Sequence, residues 1–229
     1  MSVKPEIELT ADGSHTLFVP HLNEHYHSVN GAVQESMHVF INEGLYHCRQ
    51  GTVSIFEVGF GTGLNAFLTL LESEKLGKTI HYTSIEAYPL ALDIVQKLNY
   101  KDLSDTKADL YNKIHEAEWG NEIQITPTFF LTKIKSDFTS FDFASYQNNF
   151  DLIYFDAFAP DKQPSMWSQE LFDNLYNISK NGAILTTYCA KGIVRRTMQQ
   201  SGYQTERLPG PPGKREMLRA TKKGKENDA

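Results

Sequence analysis

A β-rich apolar run, TVSIFEV (52–58), passes through GFGTG straight into a helix-like pattern, LNAFLTLLESEKLG. No other stretch limits the fold as much. Glycines at positions 59, 61 and 63 permit a tight turn and let the backbone approach a ligand closely. The strand-then-helix order repeats downstream. TIHYTSIEA (79–87) predicts a strand, and YPLALDIVQKLNY predicts a helix with proline near its start. TFFLTKIKSD (128–137) and FDLIYFDAF (150–158) predict two more strands. SQELFDNLYNIS predicts a helix capped by Ser168, followed by the strand AILTTYC and the helix GIVRRTMQQSGY. Alternation of this kind implies a parallel sheet covered on both faces. QTERL and REMLRAT are joined by PGPPGK, too short for a helical crossover, so they pair as an antiparallel hairpin. The expected fold class is α/β: a mostly parallel, seven-stranded, Rossmann-like sheet closed by that hairpin.

Residues 1–50 are expected to be an N-terminal extension packing on a core of residues 51–220. Within the extension, HTLFVP resembles a short strand and AVQESMHVFINEGL has helical spacing. Residues 101–121 predict an inserted polar helical segment, and residues 221–229 a charged, disordered tail.

The 229 residues suffice for one large α/β domain. The net charge of −6 is unevenly placed, with ten Lys and Arg against four acids from Cys189 onward. A basic end on an acidic body can present a phosphate-binding face locally. Cys48 and Cys189, the only cysteines, are read as reduced packing thiols, which favours the cytosol. The opening MSVKPEIELTADGSH lacks the apolar core of a signal peptide, and no run reaches the roughly 18 apolar residues of a membrane span. A soluble, cytoplasmic protein is expected. His21, His25 and His27 lie close in sequence without a fourth ligand nearby, so no metal site is expected.

The glycine turn points to a cofactor. A dinucleotide fingerprint would place Gly or Ala at position 64, where Leu64 stands, so a nucleotide-dependent dehydrogenase is disfavoured. Glu57, two residues before Gly59, followed by Phe60, Gly61, Thr62 and Gly63, instead resembles S-adenosylmethionine (SAM) enzymes. Glu86 ends the next strand, 23 residues beyond Gly63, where a carboxylate can accept both ribose hydroxyls. Asp137 ends the third strand, placed to take the adenine amino group. Tyr26 is a candidate cofactor lid, with plain packing as the other reading.

Asp156 ends the apolar run LIYF and is followed at once by an aromatic and a proline, in YFDAFAPDKQPSMW. A buried strand has no use for an unpaired acid. Asp156 therefore either points at a partner or sits at a site, where it is the candidate catalytic residue, with Phe158 and Trp167 as apolar walls; the other reading of Trp167 is a staple of the loop onto the next helix. Arg195 and Arg196 on a helix, and Lys214 and Arg215 at the hairpin, are candidate contacts to nucleic-acid phosphates.

With these residues in hand, the chain resembles the methyltransferase domain of the bacterial tRNA 5-methylaminomethyl-2-thiouridine biosynthesis (MnmC-like) proteins over roughly residues 20–220. FDLIYFDAFAPDKQPSMWSQELF matches the family's D-G-F-A-P-x-x-x-P-x-M-W pattern, with EVGFGTGLN, SIEAYPL, GIVRR and GKREML as further matches. EHYHSVNGAVQES is similar to the family's Tyr-Phe-Ser, Asp-Gly and Glu-Ser/Thr elements. Ala157 stands where the family has glycine, His27 where it has an aromatic, and PGPPG where it has Gly-Phe-Gly. The resemblance implies a class I SAM-dependent methyltransferase. Its acceptor would be the aminomethyl group on the wobble uridine of tRNA, reached through the anticodon loop. In the bifunctional relatives an FAD-dependent oxidase domain follows. Here the sequence ends after the methyltransferase, so the implied activity is methylation alone, with a separate enzyme supplying the aminomethyl precursor. A SAM-dependent enzyme acting on a small amine, and an inactive SAM-binding scaffold, are the alternatives.

Overall fold

The computed structural model describes residues 4–223. Its main sheet contains β4 (Thr52–Val58), β5 (Thr79–Glu86), β6 (Glu122–Thr126), β7 (Phe129–Lys135), β8 (Phe150–Phe155), β9 (Ser179–Thr187), β10 (Tyr203–Pro209) and β11 (Glu216–Lys222). They lie in the order β10-β11-β9-β8-β4-β5-β7-β6. The five central strands run parallel, while β11 pairs antiparallel with both β9 and β10. The expected seven strands become eight. The extra one is β6, antiparallel to β7 at the sheet edge. Its sequence EIQIT is mostly polar and only its last residue is buried, as an edge strand permits, and this hid it in the sequence.

Side chains alternate across the sheet. Ile55, Leu152 and Tyr154 join one core with α2 (Leu64–Lys75) and α4 (Ala108–Glu116), while Phe56, Ile153 and Phe155 join a second core with α5 (Gln169–Ile178) and α6 (Gly192–Gln200). Ser168 caps α5, its Oγ accepting from the Leu171 N–H at 3.4 Å. The helix expected from YPLALDIVQKLNY is reduced to α3 (Leu92–Val95) and a 3-10 turn, Asn99–Leu103. Only Val95, Leu98 and Tyr100 of that stretch are buried, too few to anchor a long amphipathic helix.

The extension is structured. β1 (Glu6–Leu9), β2 (His15–Val19) and β3 (Glu24–His25) form an antiparallel sheet. α1 (Ala32–Ser36) runs into a wider π-type turn, Met37–Asn42, whose Val39, Phe40 and Ile41 enter the first core.

The expected tail boundary at 221 falls too early. Thr221 and Lys222 belong to β11, and residues 224–229 lie outside the described residues. Lys222 is held because its ammonium replaces lost water with protein oxygens: it donates to Tyr176 O and Ser179 O at 2.8 Å and to Asn148 Oδ1 at 3.3 Å. Among the described residues, no helix is long and apolar enough to cross a membrane. Replacing Lys222 with Ala should leave two carbonyls without a donor and destabilise the protein by about 2–3 kcal/mol. Thermal melts should then fall by roughly 5–10 °C; an unchanged melting temperature would contradict this role.

Candidate functional site

Strand order reverses between β4 and β8: the chain winds from β4 through β5 to β7 on one side and from β8 to β9 on the other. Ligands of such sheets bind beyond the carboxyl ends of the strands at this point. A cavity of about 550 Å³ lies there, of a size suited to a small-molecule ligand. The Asp156 N–H donates to Val58 O at 3.1 Å, continuing the β4–β8 ladder one step past the strand. The acid thereby emerges beside the glycine turn. Asn65, buried in the first turn of α2, donates from Nδ2 to Asp156 Oδ2 at 2.8 Å and fixes the carboxylate from the opposite element. Burial raises the Asp156 carboxyl to about 7, with negative Glu35 adding to the rise and Asn65 and Lys214 opposing it.

The other predicted residues in the cavity wall are Tyr26, Gly59, Phe60, Gly61, Thr62, Glu86, Asp137, Phe158 and Lys214. Glu86 is held at both oxygens: Gly61 N–H donates to Oε2 at 3.0 Å and Tyr88 N–H to Oε1 at 2.8 Å. Gly61 has φ +48°, and a Cβ there would sit 3.0 Å from the Tyr26 ring. The turn therefore needs glycine to let Tyr26 lie over it. Tyr26 and Phe158 meet edge to face with centroids 5.1 Å apart. Asp137 closes the far end, its Oδ1 accepting from the Thr139 N–H at 2.8 Å.

Glu57, Gly63, Trp167, Arg195, Arg196 and Arg215 are not in the wall. Glu57 is fully buried behind the floor, accepting from Ser84 Oγ at 2.7 Å, and burial raises its carboxyl to about 8. It supports the crevice from beneath instead of lining it: its side chain leaves β4 one residue before the strand's end and is covered there, bonded to Ser84 of the neighbouring strand. Trp167 is buried too. Its Nε1 donates to Phe158 O at 2.8 Å and its ring packs on Phe155 at 4.7 Å, so it braces Phe158 and offers no free face for stacking. Arg196 and Arg215 are exposed and Arg195 is half-buried. Lys214 departs from its expected role: its ammonium turns inward, paired with the buried Glu35 and 3.9 Å above the Tyr188 ring.

Sequence reasoning missed Asn65, Glu35 and Tyr188 as cavity residues. Asn65 and Glu35 stood inside quoted motifs, but their convergence on Asp156 depends on the folding of distant segments. Tyr188 carried no local signal; its hydroxyl donates to Ala157 O at 2.8 Å. The three clustered histidines separate: His25 pairs with Glu8, and buried His27 places Nε2 2.7 Å from Thr62 Oγ1. Among the described residues, no group of three or more His, Cys, Asp or Glu is arranged to hold a metal. Cys48 and Cys189 are buried free thiols.

Residues 103–223 match the family described as S-adenosyl-L-methionine-dependent methyltransferase. The chain is similar to the tRNA 5-methylaminomethyl-2-thiouridine biosynthesis bifunctional protein MnmC of Pseudoalteromonas atlantica, at 31% identity over 95% of this chain and 34% of that protein. The protein of the same name from Leptospira interrogans is 32% identical over 84% of this chain and 32% of its own length. This chain thus spans about a third of the curated relatives it matches. Among solved structures, MnmC2 from Aquifex aeolicus superposes with a TM-score of 0.79 at 22% identity, covering 96% of this chain and 71% of that one. Spermidine synthase from Thermotoga maritima shares the fold at a TM-score of 0.57 and 11% identity, over 97% and 72% of the two chains.

Glu57 generates a pH signature. Its folded pKa of about 8 lies above the ordinary 4.5, so its contribution to stability is full below about 4.5 and is lost as pH rises through 8. Wild-type melting temperature should fall between pH 6 and 9, and Glu57→Gln should reduce that fall by a few degrees. Parallel curves for the two proteins would contradict a buried, protonated Glu57.

Proposed function

Since this chain belongs to the S-adenosyl-L-methionine-dependent methyltransferase family, we propose that it methylates the aminomethyl nitrogen on the wobble uridine of tRNA, converting 5-aminomethyl- to 5-methylaminomethyl-(2-thio)uridine. S-adenosyl-L-methionine is the methyl donor, and the residues present fit it. Glu86, held at both oxygens at the cavity edge, is suited to ribose hydroxyls, and Asp137 to the adenine amino group. Gly59, Phe60, Gly61 and Thr62 form the cradle beneath, with Tyr26 over it. When bound, the donor supplies an electrophilic methyl group carried on a sulfonium.

The remaining work falls to the chain's own side chains. A primary alkylamine is mostly an ammonium at neutral pH and has no lone pair to offer. Asp156, ionised, accepts hydrogen bonds from the amine, fixes its direction and takes up a proton directly or through water. Asn65 keeps the carboxylate in one orientation while this happens. Phe158 and Tyr26 wall the crevice against water, and Trp167 steadies Phe158 through its carbonyl.

For the RNA, exposed Arg196 and Arg215 and the half-buried Arg195 are suited to anticodon-loop phosphates. Lys191, just before α6, forms an ion pair with Asp161, which ties this helix to the loop that rims the cavity. A tRNA acceptor fits an activity in the cytoplasm.

The observation that carries the proposal is the Asp156 carboxylate in the cavity wall, desolvated and oriented by an amide, with the Tyr26 and Phe158 rings in the same wall. The test is mass spectrometry of nucleosides from unmethylated tRNA incubated with the protein and labelled SAM. A labelled methylaminomethyluridine is expected; label found only on free small amines would overturn the tRNA reading. Asp156→Asn should lower turnover by about 10²–10⁴-fold while SAM affinity stays within a few-fold. Turnover should also rise with pH through about 7 as the carboxyl ionises. Equal losses of affinity and turnover would instead make Asp156 a cofactor ligand or a purely structural residue.

A further inference from the structure

The acceptor end of the cavity contains a second charged device. Glu35, at α1, is buried and faces the cavity; its Oε2 accepts from the Ser28 N–H at 2.8 Å, and its Oε1 accepts from the Lys214 ammonium. Lys214 arrives from the far end of the chain, on the turn between β10 and β11. That turn is built to bring it inward. Gly213 has φ +83°, and a Cβ there would overlap Asn30 Nδ2 at 2.1 Å, so the turn packs directly on the N-terminal segment. His38 Nε2 lies 2.8 Å from Pro209 O and secures the same seam.

Two carboxylates, Asp156 and Glu35, and one ammonium, Lys214, thus share the acceptor end. With Asp156 ionised their sum is one negative charge, which suits a single cationic guest. The Lys214 ammonium has three donor hydrogens, and Glu35 is its one hydrogen-bonded acceptor among the described residues. The rest of it lies over the Tyr188 ring, and Tyr188 is pinned beside Asp156 by its bond to Ala157 O. An ammonium so placed has hydrogens left for an oxygen of the guest.

We propose that the Glu35–Lys214 pair positions the acceptor: Lys214 donates to a carbonyl oxygen next to the aminomethyl-bearing carbon, and Glu35 holds Lys214 while favouring an ammonium guest. The inference rests on the aminomethyl-pyrimidine acceptor proposed above and deepens it. In a uracil, the carbonyl at C4 adjoins the carbon that bears the aminomethyl group. One contact on the amine from Asp156 and one on that carbonyl from Lys214 fix the base in the plane. A free alkylamine offers only the first contact and is a poorer acceptor.

The pair also faces Asp156 electrostatically. The groups around Asp156 are Asn65 from α2, Glu57 and Tyr82 from the sheet, Tyr100 from the turn after α3, Tyr188 after β9, Glu35 from α1 and Lys214 from the hairpin turn. Glu35 raises its carboxyl and Lys214 lowers it, so removing each should move the acid limb of kcat/KM in opposite directions. A pair that only fastened the hairpin to the N-terminal segment would shift the limb through its charges alone, without the loss of kcat/KM on tRNA that a missing acceptor contact brings.

The experiment compares wild type, Glu35→Gln, Lys214→Met and Lys214→Arg as full chains on unmethylated tRNA, with SAM affinity by calorimetry as a check that each variant is folded. Lys214→Met should lower kcat/KM at least tenfold with SAM affinity within about twofold, and shift the acid limb to higher pH. Glu35→Gln should shift that limb to lower pH, and Lys214→Arg should restore part of the loss. Shifts in the same direction, or full activity in Lys214→Met, overturn the proposal while leaving the proposed function standing. Absence of transfer by the wild type overturns both.

Discussion

The parallel pairing of β4 with β8 is the constraint on which the rest depends. It sets Val58 beside Phe155, and the bond from the Asp156 N–H to Val58 O carries the ladder one residue further. The glycine turn and the acid therefore leave the sheet side by side, placed by the ladder that joins the two strands. Both strands are almost wholly buried, so a register slip of one residue would turn their aromatic side chains to the wrong cores and move Asp156 off the crevice. The site is as firmly placed as the core itself.

That placement has an electrostatic consequence. Glu57 and Asp156 lie under and on the crevice floor, and among the described residues neither has a cation bonded to it. Their carboxyls are raised instead, to about 8 and about 7, by the loss of water. Amide and hydroxyl donors, from Asn65 and Ser84, hold them in orientation. By contrast, Asp151 at the start of β8 is bonded by the Ser54 N–H at 2.9 Å and by Lys180 at 2.8 Å, so it serves the fold alone. The same residue type at two ends of one strand does two jobs, and the difference lies in what surrounds it.

Much of this was legible in the sequence, for physical reasons. Strands such as FDLIYF are continuous apolar runs, as a sheet covered on both faces requires, and the turn glycines lie where the backbone must bend. Residues at strand ends inherit their position from the strand, which is why Glu86, Asp137 and Asp156 could be placed together. What was lost depended on segments far apart in sequence. Lys214 is 179 positions from the carboxylate it pairs with, and its inward turn follows from packing of the hairpin on Asn30. Both readings of Trp167 stay open in the sequence because an aromatic near a site can either stack on a guest or brace a neighbour, and burial decides for the brace. Strand β6 was hidden by its polar composition, and Glu57 by the direction in which its side chain leaves the strand.

The central claim is that one crevice, at the carboxyl ends of β4, β5, β7 and β8, holds the methyl donor and aims an amine at it. A crystal structure with S-adenosyl-L-methionine bound tests this most directly. The account predicts the ribose hydroxyls against Glu86, the adenine toward Asp137 and the sulfonium end facing Asp156. A donor bound elsewhere on the molecule, or in this crevice with its sulfonium turned away from Asp156, would contradict it.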